Sequence, residues 1–550
     1  MSEHITVGEA IAAFLERCGL KTAFGVISIH NMPILDAFGR RGETRFVPAR
    51  GEAGALGMAD AYARVTGGLG VAVTSTGTAA GNAAGAMVEA LTAGSPVLHL
   101  TGQIETPYLD RDMAYIHEAP DQLGMLKAIS KGAWRVRSAE TALATVREAV
   151  RVALTAPTGP VSVEIPIDIQ HAMIDAGHVP APLPTTTPDP IAAEVDALAD
   201  ALARAKRPLL WLGGGARGAG AAVARLVEMG FGVVSSVQGR GIVAEDHPHT
   251  LGAFNLYPEV EDFYATCDAM LVVGSRLRSN ETLTYRLKLP KALYRIDVDA
   301  RAEGRCYASD LFVCGDAGKV LAALADRLEC RLAVDPGFHA DLAATRDRVV
   351  RSVRDGLGPY EALLDALQKA AGKTFTWVRD VTVSNSTWGN RALSIFEPRS
   401  GVHAVGGGIG QGLAMGIGAA LGAAATDGRK TLCLAGDGGF ILNVGELATA
   451  AQEHADLVIV LMNNGGYGVI KNIQDARYGG RNYYVDLHTP DFAELAHSLG
   501  VRHRYVDTLT GIDTVLADAI AGDGPQLIEV DMGTIGDFTQ AFAGPPVRAK

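Results

Sequence analysis

The sequence has no apolar run long enough to cross a membrane. None of its uninterrupted hydrophobic stretches reaches the roughly 18 residues that a transmembrane helix needs, although 48% of its residues are apolar. Its first residues, MSEHITVGEAIAAFLERCG, include acidic side chains and lack the basic start and apolar block of a secretory signal. The sequence therefore predicts no membrane partner and a cytoplasmic location.

Clusters of positive charge and paired cysteines are also missing. The net charge is −12 and the Lys and Arg residues form no run, so a nucleic-acid partner is not expected. The six cysteines include neither a CxxC pair nor another metal-binding spacing. We interpret them as free thiols of a reducing compartment rather than as disulfides or zinc ligands.

What the chain does contain is a repeated alternation of strands and helices. Its 550 residues are too many for one hydrophobic core, and a proline-rich stretch, VPAPLP, marks a boundary near residue 180. Short apolar runs alternate with helical segments on both sides of this boundary, which predicts doubly wound α/β domains with parallel sheets. We expect three such domains, at residues 1–180, 190–345 and 355–550, of which the first and third show a similar order of elements.

The clearest functional pattern is a pair of glycine-rich turns in the third domain. One predicted strand ends in GDGG (residues 436–439), a helix is predicted to begin near Leu442, and the next buried strand ends in NNGG (residues 463–466). Because both strand ends of a βαβ unit lie at the same edge of the sheet, Asp437 and Asn464 are expected to lie close together. Their oxygen atoms suit Mg²⁺, and the glycine N–H groups suit a diphosphate.

This GDG-to-NN spacing resembles the diphosphate-binding motif of thiamine-diphosphate enzymes, in particular the group of acetolactate synthase, benzoylformate decarboxylase and benzaldehyde lyase. In that family the Asp, the second Asn and a main-chain carbonyl two residues later bind Mg²⁺. The resemblance implies that Asp437, Asn464 and Gly466 are the metal ligands of this chain. It also implies that the third domain binds the diphosphate, with cofactor contacts from Gly436, Asp437, Gly438, Gly439, Asn464 and Gly466.

The family also uses a glutamate of the first, pyrimidine-binding domain, which hydrogen-bonds the aminopyrimidine ring and favours its reactive tautomer. The matching residue is Glu52, in RGEAGALGMADAYAR after a predicted strand. The GGGIGQG stretch resembles the family's segment that bends the cofactor, which makes Ile409 the wedge between the two rings and the Gly407 carbonyl an acceptor. Further cofactor contacts are expected from Asn385, Ser386 and Thr387.

The resemblance has two implications beyond the single chain and its main cofactor. In the family, the glutamate and the metal ligands come from different subunits, so a homodimer or homotetramer with the active site between subunits is implied. The central, Rossmann-like domain holds FAD in some members, ADP in others and no ligand in many. Its GGGARGAG turn departs from the GxGxxG fingerprint, so we do not expect nicotinamide binding.

The substrate side of the site matches the family less closely. His30 lies on a loop after a strand, where benzaldehyde lyase has a histidine, and His117 lies where synthases and lyases have glutamine. Either histidine could move protons in catalysis or stabilise its own loop. The expected pocket residues are Ile29, Ser75, Val469, Ile470 and Ile473, of which the last three are equally compatible with a helix core. Benzoylformate decarboxylase has a histidine where this chain has Ser75.

The resemblance implies a thiamine-diphosphate- and Mg²⁺-dependent lyase or transferase that acts on a small 2-oxo acid or 2-hydroxyketone. Acetolactate-synthase-like carboligation fits the length and the domain order best. The alternative is an activity of the benzoylformate decarboxylase or benzaldehyde lyase type. A non-catalytic regulatory homologue is expected to lack Glu52, Asp437 or Asn464, and all three are present.

Overall fold

The computed structural model describes residues 4–175, 179–542 and 544. Positions 1–3, 176–178, 543 and 545–550 of the expected first and third domains lie outside this part of the chain. Three parallel β-sheets dominate the described residues, and each falls within one of the three predicted domains. The predicted fold class, three α/β domains with parallel sheets, is therefore confirmed.

The first domain contains a six-stranded parallel sheet with the strand order β3-β2-β4-β5-β7-β6, while β1 pairs with β8 in an antiparallel ribbon. Its elements are β1 (His4–Thr6), α1 (Val7–Arg17), β2 (Thr22–Gly25), α2 (Met32–Arg41), β3 (Arg45–Pro48), α3 (Glu52–Thr66), β4 (Gly70–Thr74), α4 (Thr78–Asn82), α5 (Ala84–Ala93), β5 (Val97–Gln103), α6 (Gln122–Ile129), β6 (Gly132–Arg135), α7 (Ala139–Leu154), β7 (Val161–Pro166), α8 (Ile167–His171) and β8 (Met173–Asp175).

The central domain contains a five-stranded parallel sheet with the order β10-β9-β11-β12-β13. Its elements are α9 (Ala192–Leu202), β9 (Pro208–Leu212), α10 (Gly220–Glu228), β10 (Gly232–Ser235), α11 (Pro258–Tyr264), β11 (Ala269–Val273), β12 (Ala292–Asp297), β13 (Leu311–Cys314), α12 (Ala317–Leu328) and α13 (Phe338–Asp355).

The third domain contains a second six-stranded parallel sheet, with the order β15-β14-β16-β17-β19-β18. Its elements are α14 (Glu361–Ala371), β14 (Phe375–Arg379), a π-helix (Asn385–Gly389), β15 (Gly401–His403), α15 (Gly412–Ala424), β16 (Lys430–Gly436), α16 (Asp437–Leu442), α17 (Glu446–Gln452), β17 (Leu457–Asn463), α18 (Gly468–Tyr478), α19 (Phe492–Ser498), β18 (Arg502–Val506), α20 (Ile512–Ala521), β19 (Gln526–Asp531) and α21 (Met532–Ile535).

The helix after GDGG differs from the sequence prediction. It begins at Asp437 itself rather than near Leu442, and a break separates α16 from α17. The reason is burial. Phe440 packs into the core shared by the first and third domains, so the helix must already be formed at this residue. Leu442 is 52% exposed and lies at the end of α16 rather than at its start. The position of Asp437 is therefore fixed by both the end of β16 and the first turn of α16.

The first and third sheets have the same topology, so each element of one has a counterpart in the other. The helices α3 and α15 follow the equivalent edge strands β3 and β15 and pack against each other in one continuous apolar core. Small residues permit this approach, because a Cβ at Gly418 would lie 2.1 Å from the main-chain oxygen of Met58. A Cβ at Gly57 would lie 3.2 Å from the Cβ of Ala414. This contact sets how the two domains present their functional loops.

Gly418→Ala tests the helix contact. The added methyl group has no space against the backbone of Met58, so we expect a destabilisation of about 1–3 kcal/mol, measured by denaturant unfolding followed by circular dichroism. Gly422→Ala on the same helix is the matched control, since its new Cβ would meet atoms no closer than 3.4 Å. Equal stability of the two variants would contradict the packing argument.

Candidate functional site

The two glycine-rich turns of the third domain meet at one edge of its sheet. β16 and β17 are parallel neighbours, with Gly436 opposite Met462, so the residues that follow each strand lie side by side. The main-chain N–H of Asn464 donates to Oδ1 of Asp437 at 3.2 Å. The predicted proximity of Asp437 and Asn464 is therefore confirmed.

The Asp437 carboxylate, the Asn464 carboxamide and the Gly466 carbonyl converge at this edge. One terminal atom of the Asn464 carboxamide lies 3.0 Å from Oδ1 of Asp437 and 3.0 Å from the main-chain oxygen of Gly466. In the protein alone the amide nitrogen belongs at this place, because it can donate hydrogen bonds to both oxygens. A bound cation would favour the opposite orientation, with three oxygen atoms roughly 3 Å apart, as in a Mg²⁺ octahedron.

The Asp437 carboxylate also has an unsatisfied oxygen. The residue is fully buried, and its Oδ2 has no hydrogen-bond partner among the described residues. Burial raises the pKa of this carboxyl, although neighbouring N–H groups act in the opposite direction. A bound cation would remove the cost of the buried charge, so the residues present fit a hard divalent metal ion. Within the described part of the chain no group of three or more His, Cys, Asp or Glu side chains offers a competing metal site.

The GDGG turn packs against the loop that carries Ile409. A Cβ at Gly439 would lie 3.3 Å from Cγ1 of Ile409, and one at Gly438 would lie 2.8 Å from the ring of Tyr467. The Ile409 side chain is 39% exposed, and Gly407 has a φ of +80° with open space where a Cβ would be. The structure thus brings the wedge candidate Ile409 next to the GDGG turn.

Asp380 holds the Ile409 loop and was not predicted from the sequence. It follows β14, is fully buried, and both of its oxygens lie 3.1 Å from the main-chain N–H of Gly410. Burial raises the pKa of its carboxyl to about 6, which the backbone N–H groups around it oppose. The sequence signal that could have found it is the acid at the end of a buried strand, in WVRD, at the same sheet edge as Asp437.

Glu52 lies where the sequence placed it, between a strand and a helix of the first domain. It is the first residue of α3, it is partly buried, and Nδ2 of Asn82 donates to its Oε2 at 3.1 Å. Asn82 is the one hydrogen-bond partner of the Glu52 carboxylate within the described residues. One carboxylate oxygen therefore remains available to a ligand.

The segment 385–387 forms part of a π-helix after β14. Asn385 is buried, with its Oδ1 unpaired among the described residues and directed towards Gly389, where a Cβ would be 3.2 Å away. The Thr387 hydroxyl donates to main-chain carbonyls of its own turn at 3.1 Å, and Ser386 is partly exposed. The segment lies at the correct sheet edge, but only Ser386 and Thr387 have exposed surface for a ligand.

The two candidate histidines are brought together. The rings of His30 and His117 pack edge to face with centroids 5.3 Å apart, although the two residues lie on different loops. A short polar chain continues from His30, since its Nδ1 lies 3.3 Å from Oγ of Ser75 and that oxygen lies 2.6 Å from Oγ of Ser28. Burial lowers the pKa of His30, His117 lowers it further, and Glu105 opposes this. Such a cluster can move protons on the substrate side.

The predicted apolar pocket residues are largely exposed in the single chain. The exposed fraction is 63% for Ile29 and 47% for Ile470, while Val469 and Ile473 are partly buried. The two alternatives for Val469, Ile470 and Ile473 are pocket lining and helix core. α18, which carries them, contains no fully buried residue, so the structure does not favour a helix core. Val469 contacts the edge of the third domain's core. These side chains remain available to line a pocket.

A separate cleft of about 410 Å³ lies at the carboxyl ends of the central strands. β10 and β11 lie on opposite sides of β9, and a doubly wound sheet binds ligands at such a switch point. The main-chain N–H of Gly215 donates to the carbonyl of Gly274 at 3.0 Å, and a Cβ at Gly213 would overlap the same oxygen. Two glycine turns thus form a tight wall of the cleft.

The cleft has an excess of positive charge. Its charged lining residues are Arg64, Arg217, Arg276, Arg278, Arg391 and Arg399, against Glu281, Asp297 and Asp316. Burial and the nearby guanidinium groups of Arg399, Arg64 and Arg278 lower the pKa of Arg217 to about 9. Phosphate groups would neutralise this charge, and the Asp297 carboxylate at the end of β12 could accept from hydroxyl groups.

Comparison with known families identifies the family of the chain. The chain matches the "Thiamine pyrophosphate enzyme" profiles for the N-terminal TPP binding domain over residues 5–125, the central domain over 195–324 and the C-terminal TPP binding domain over 382–530. The chain belongs to the thiamine pyrophosphate enzyme family. Thiamine diphosphate, the same compound, is its cofactor, and the chain is an enzyme of the decarboxylase and carboligase class, as the resemblance implied.

Several relatives of this thiamine pyrophosphate enzyme align over nearly its whole length. The probable acetolactate synthase large subunit of Methanocaldococcus jannaschii is 29% identical over 95% of this chain and 91% of its own. The probable 2-ketoarginine decarboxylase of Pseudomonas aeruginosa is 32% identical over 96% of this chain and 94% of its own. The acetolactate synthase isozyme 2 large subunit of Escherichia coli is 29% identical over 94% and 93%.

No helix in the described residues combines the length and the apolar character needed to span a membrane.

Asp437→Asn tests the cation site of this thiamine pyrophosphate enzyme. Removing the buried negative charge should weaken Mg²⁺-dependent binding of thiamine diphosphate by about a hundredfold or more, measured by calorimetry with and without Mg²⁺. Asp531→Asn is the matched control, because Asp531 ends β19 at the same sheet edge but accepts hydrogen bonds from Gly533 and Thr534 instead. Unchanged affinity in the Asp437 variant would exclude this residue as a ligand.

Proposed function

We propose that this protein is a thiamine-diphosphate- and Mg²⁺-dependent lyase or carboligase that acts on a small 2-oxo acid or 2-hydroxyketone, with acetolactate-synthase-like carboligation as the first candidate. The observation that carries the proposal is the convergence of the Asp437 carboxylate, the Asn464 carboxamide and the Gly466 carbonyl beside a glycine-rich turn. Relatives named acetolactate synthase align over almost the full chain and support the choice of reaction.

Each residue has a role in this proposal. Asp437, the Asn464 side chain and the Gly466 carbonyl would hold Mg²⁺, which binds the cofactor's diphosphate. Bound thiamine diphosphate supplies the nucleophilic carbon and the electron sink for cleaving or forming a bond next to a carbonyl. Glu52 would hold a proton on the aminopyrimidine, and Ile409 would keep the cofactor bent.

The site is proposed to lie between two copies of the chain. Glu52 is bonded only within its own domain among the described residues, and both functional surfaces expose apolar side chains. The exposed residues near the two sets of loops are Ile27, Ile29 and Val88 in the first domain and Ile409, Leu442 and Ile470 in the third. Burial of these groups against a partner supports a homodimer or homotetramer. The six free cysteines support the cytoplasm as its location.

Decarboxylation without ligation is the second candidate, and the His30–His117 pair favours it. Two adjacent imidazoles can supply a proton where a ligase would admit a second carbonyl compound. A relative named as a probable 2-ketoarginine decarboxylase is 32% identical, which supports including its named substrate in a screen.

We further propose that the central cleft binds FAD or ADP. The cleft lies at the switch point of the central sheet, and its excess of arginine side chains favours a diphosphate. A nucleotide in this cleft would contact all three domains, since Arg64, Arg276 and Arg399 come from different parts of the chain.

The proposed reaction is tested with a panel of 2-oxo acids and 2-hydroxyketones, following carbon dioxide and ligated product together. The panel contains pyruvate, benzoylformate, 2-ketoarginine and benzoin. Ligated product identifies the first candidate, and aldehyde alone identifies the second. Turnover of no member of the panel, with both Mg²⁺ and thiamine diphosphate bound, would contradict the proposal.

Glu52→Gln tests the pyrimidine role. The variant should bind cofactor normally, but its kcat should fall by about a hundredfold or more, because a neutral side chain cannot stabilise the proton on the aminopyrimidine. Glu43→Gln, which changes an exposed glutamate of the same domain, should leave kcat unchanged. Normal turnover by the Glu52 variant with its preferred substrate would remove this residue from the mechanism.

The cleft proposal is tested by the visible spectrum of the purified protein and by titration of the stripped protein with FAD and with ADP. Arg276→Gln should weaken nucleotide binding by about tenfold or more, because it removes a charged hydrogen-bond donor. Arg225→Gln is the control, since Arg225 lies outside the cleft in an exposed ion pair with Asp326. No flavin absorbance and no saturable binding of either nucleotide would exclude both ligands.

A further inference from the structure

The turns that lead to Glu52 and to Ile409 are each held by a buried carboxylate of the opposite domain. Glu446 of the third domain contacts the turn before Glu52, and Glu89 of the first domain contacts the turn before Ile409. Their exposed fractions are only 2% and 3%. Neither glutamate belongs to a motif that the sequence patterns or the family resemblance indicate.

Glu446 accepts two consecutive main-chain hydrogen bonds across the domain boundary. The N–H groups of Arg50 and Gly51 both donate to its Oε1 at 3.0 Å, and the Thr449 hydroxyl donates to its Oε2 at 2.7 Å. A Cβ at Gly54, in the first turn of α3, would lie 2.1 Å from the same Oε1. We call this arrangement the Glu446 clamp; it ends one residue before Glu52.

Glu89 makes the corresponding contact in the other direction. The N–H of Val405 donates to its Oε1 at 2.6 Å and the N–H of Gly406 donates to its Oε2 at 2.7 Å. A Cβ at Gly406 would lie 2.6 Å from Oε2, and Arg64 donates to Oε1 at 3.4 Å. This Glu89 clamp ends one residue before Gly407.

The two clamps are equivalent in topology. Glu89 lies on α5, the second short helix after β4, and Glu446 lies on α17, the second short helix after β16. β4 and β16 hold the same place in the two six-stranded sheets, as do β3 and β15, whose following turns are clamped. Burial raises the pKa of both carboxyls, and the main-chain N–H groups that donate to them oppose this rise.

We propose that Glu446 and Glu89 are a reciprocal pair of positioning residues, each of which fixes from the opposite domain the turn that presents Glu52 or Ile409 to the cofactor. The inference rests on the proposed function for the roles of Glu52 and Ile409. Small displacements of a catalytic group cost large factors in rate. A carboxylate that fixes two successive N–H groups removes the main freedom of such a turn, because both donors are satisfied at once.

The test uses Glu446→Gln and Glu89→Gln in the full-length protein without cofactor, followed by hydrogen–deuterium exchange. Glu446→Gln should speed exchange of the amides of residues 49–54 and leave residues 404–410 unchanged. Glu89→Gln should show the reverse pattern. Glu453→Gln is the control, because this carboxylate pairs with the side chain of Arg45 across the same boundary but contacts neither turn.

Kinetics of the loaded enzymes complete the test. Both clamp variants should lower kcat by about tenfold or more while the thiamine diphosphate affinity stays within about twofold, since the cation ligands are untouched. Thr449→Val, which removes only the hydroxyl that supports Glu446, should give a weaker change in the same direction. It also provides a readout if Glu446→Gln does not fold.

The inference would be overturned if both variants exchanged their clamped turns at the wild-type rate. It would also be overturned if each variant changed the exchange rates of both turns equally. Faster local exchange with unchanged kcat would also overturn it, because the clamps would then be structural only. These results are distinct from failure of the proposed function, which would appear as normal turnover in Glu52→Gln whatever the exchange pattern shows.

Discussion

The close packing of α3 against α15 is the contact on which the rest of the structure depends. Two helices can approach so closely only where one of them lacks side chains, as at Gly418 against the backbone of Met58. Because each helix follows the turn that carries a functional residue, their packing fixes Glu52 and Ile409 relative to the two sheets. The clamps of Glu446 and Glu89 act at the ends of the same helices, so packing and polar contacts reinforce one another.

The parallel sheets determine where chemistry can take place. Carboxyl ends of parallel strands collect turns at one edge, which places Asp437, Asn464 and Asp380 within a few residues of their strands. Burying a carboxylate such as Asp437 with one oxygen unsatisfied is costly in the isolated chain. Exposure of the apolar side chains around these turns to water also costs free energy in the isolated chain. Both features are explained if cofactor, metal ion and a second copy of the chain cover this edge.

Much of this arrangement could be predicted from the sequence, because it depends on local pattern. The GDGG and NNGG turns follow buried strands, and the topology of a βαβ unit is sufficient to bring Asp437 to Asn464. The start of α16 was predicted wrongly, because the residues GDGG are compatible with both a turn and the first turn of a helix when their burial is unknown. The contacts of Glu446 with the turn before Glu52, and of His30 with His117, join residues far apart in the chain, and no spacing rule shows such contacts.

The central claim is that one cofactor lies between Glu52 of one copy and Asp437 of another. Mixing the inactive variants Glu52→Gln and Asp437→Asn and allowing subunit exchange tests it directly. Randomly formed hybrid dimers would contain one intact site, so the account predicts recovery of about a quarter of the wild-type activity. If each site were built within a single chain, every site would keep one lesion, and a mixture as inactive as its two components would contradict the account.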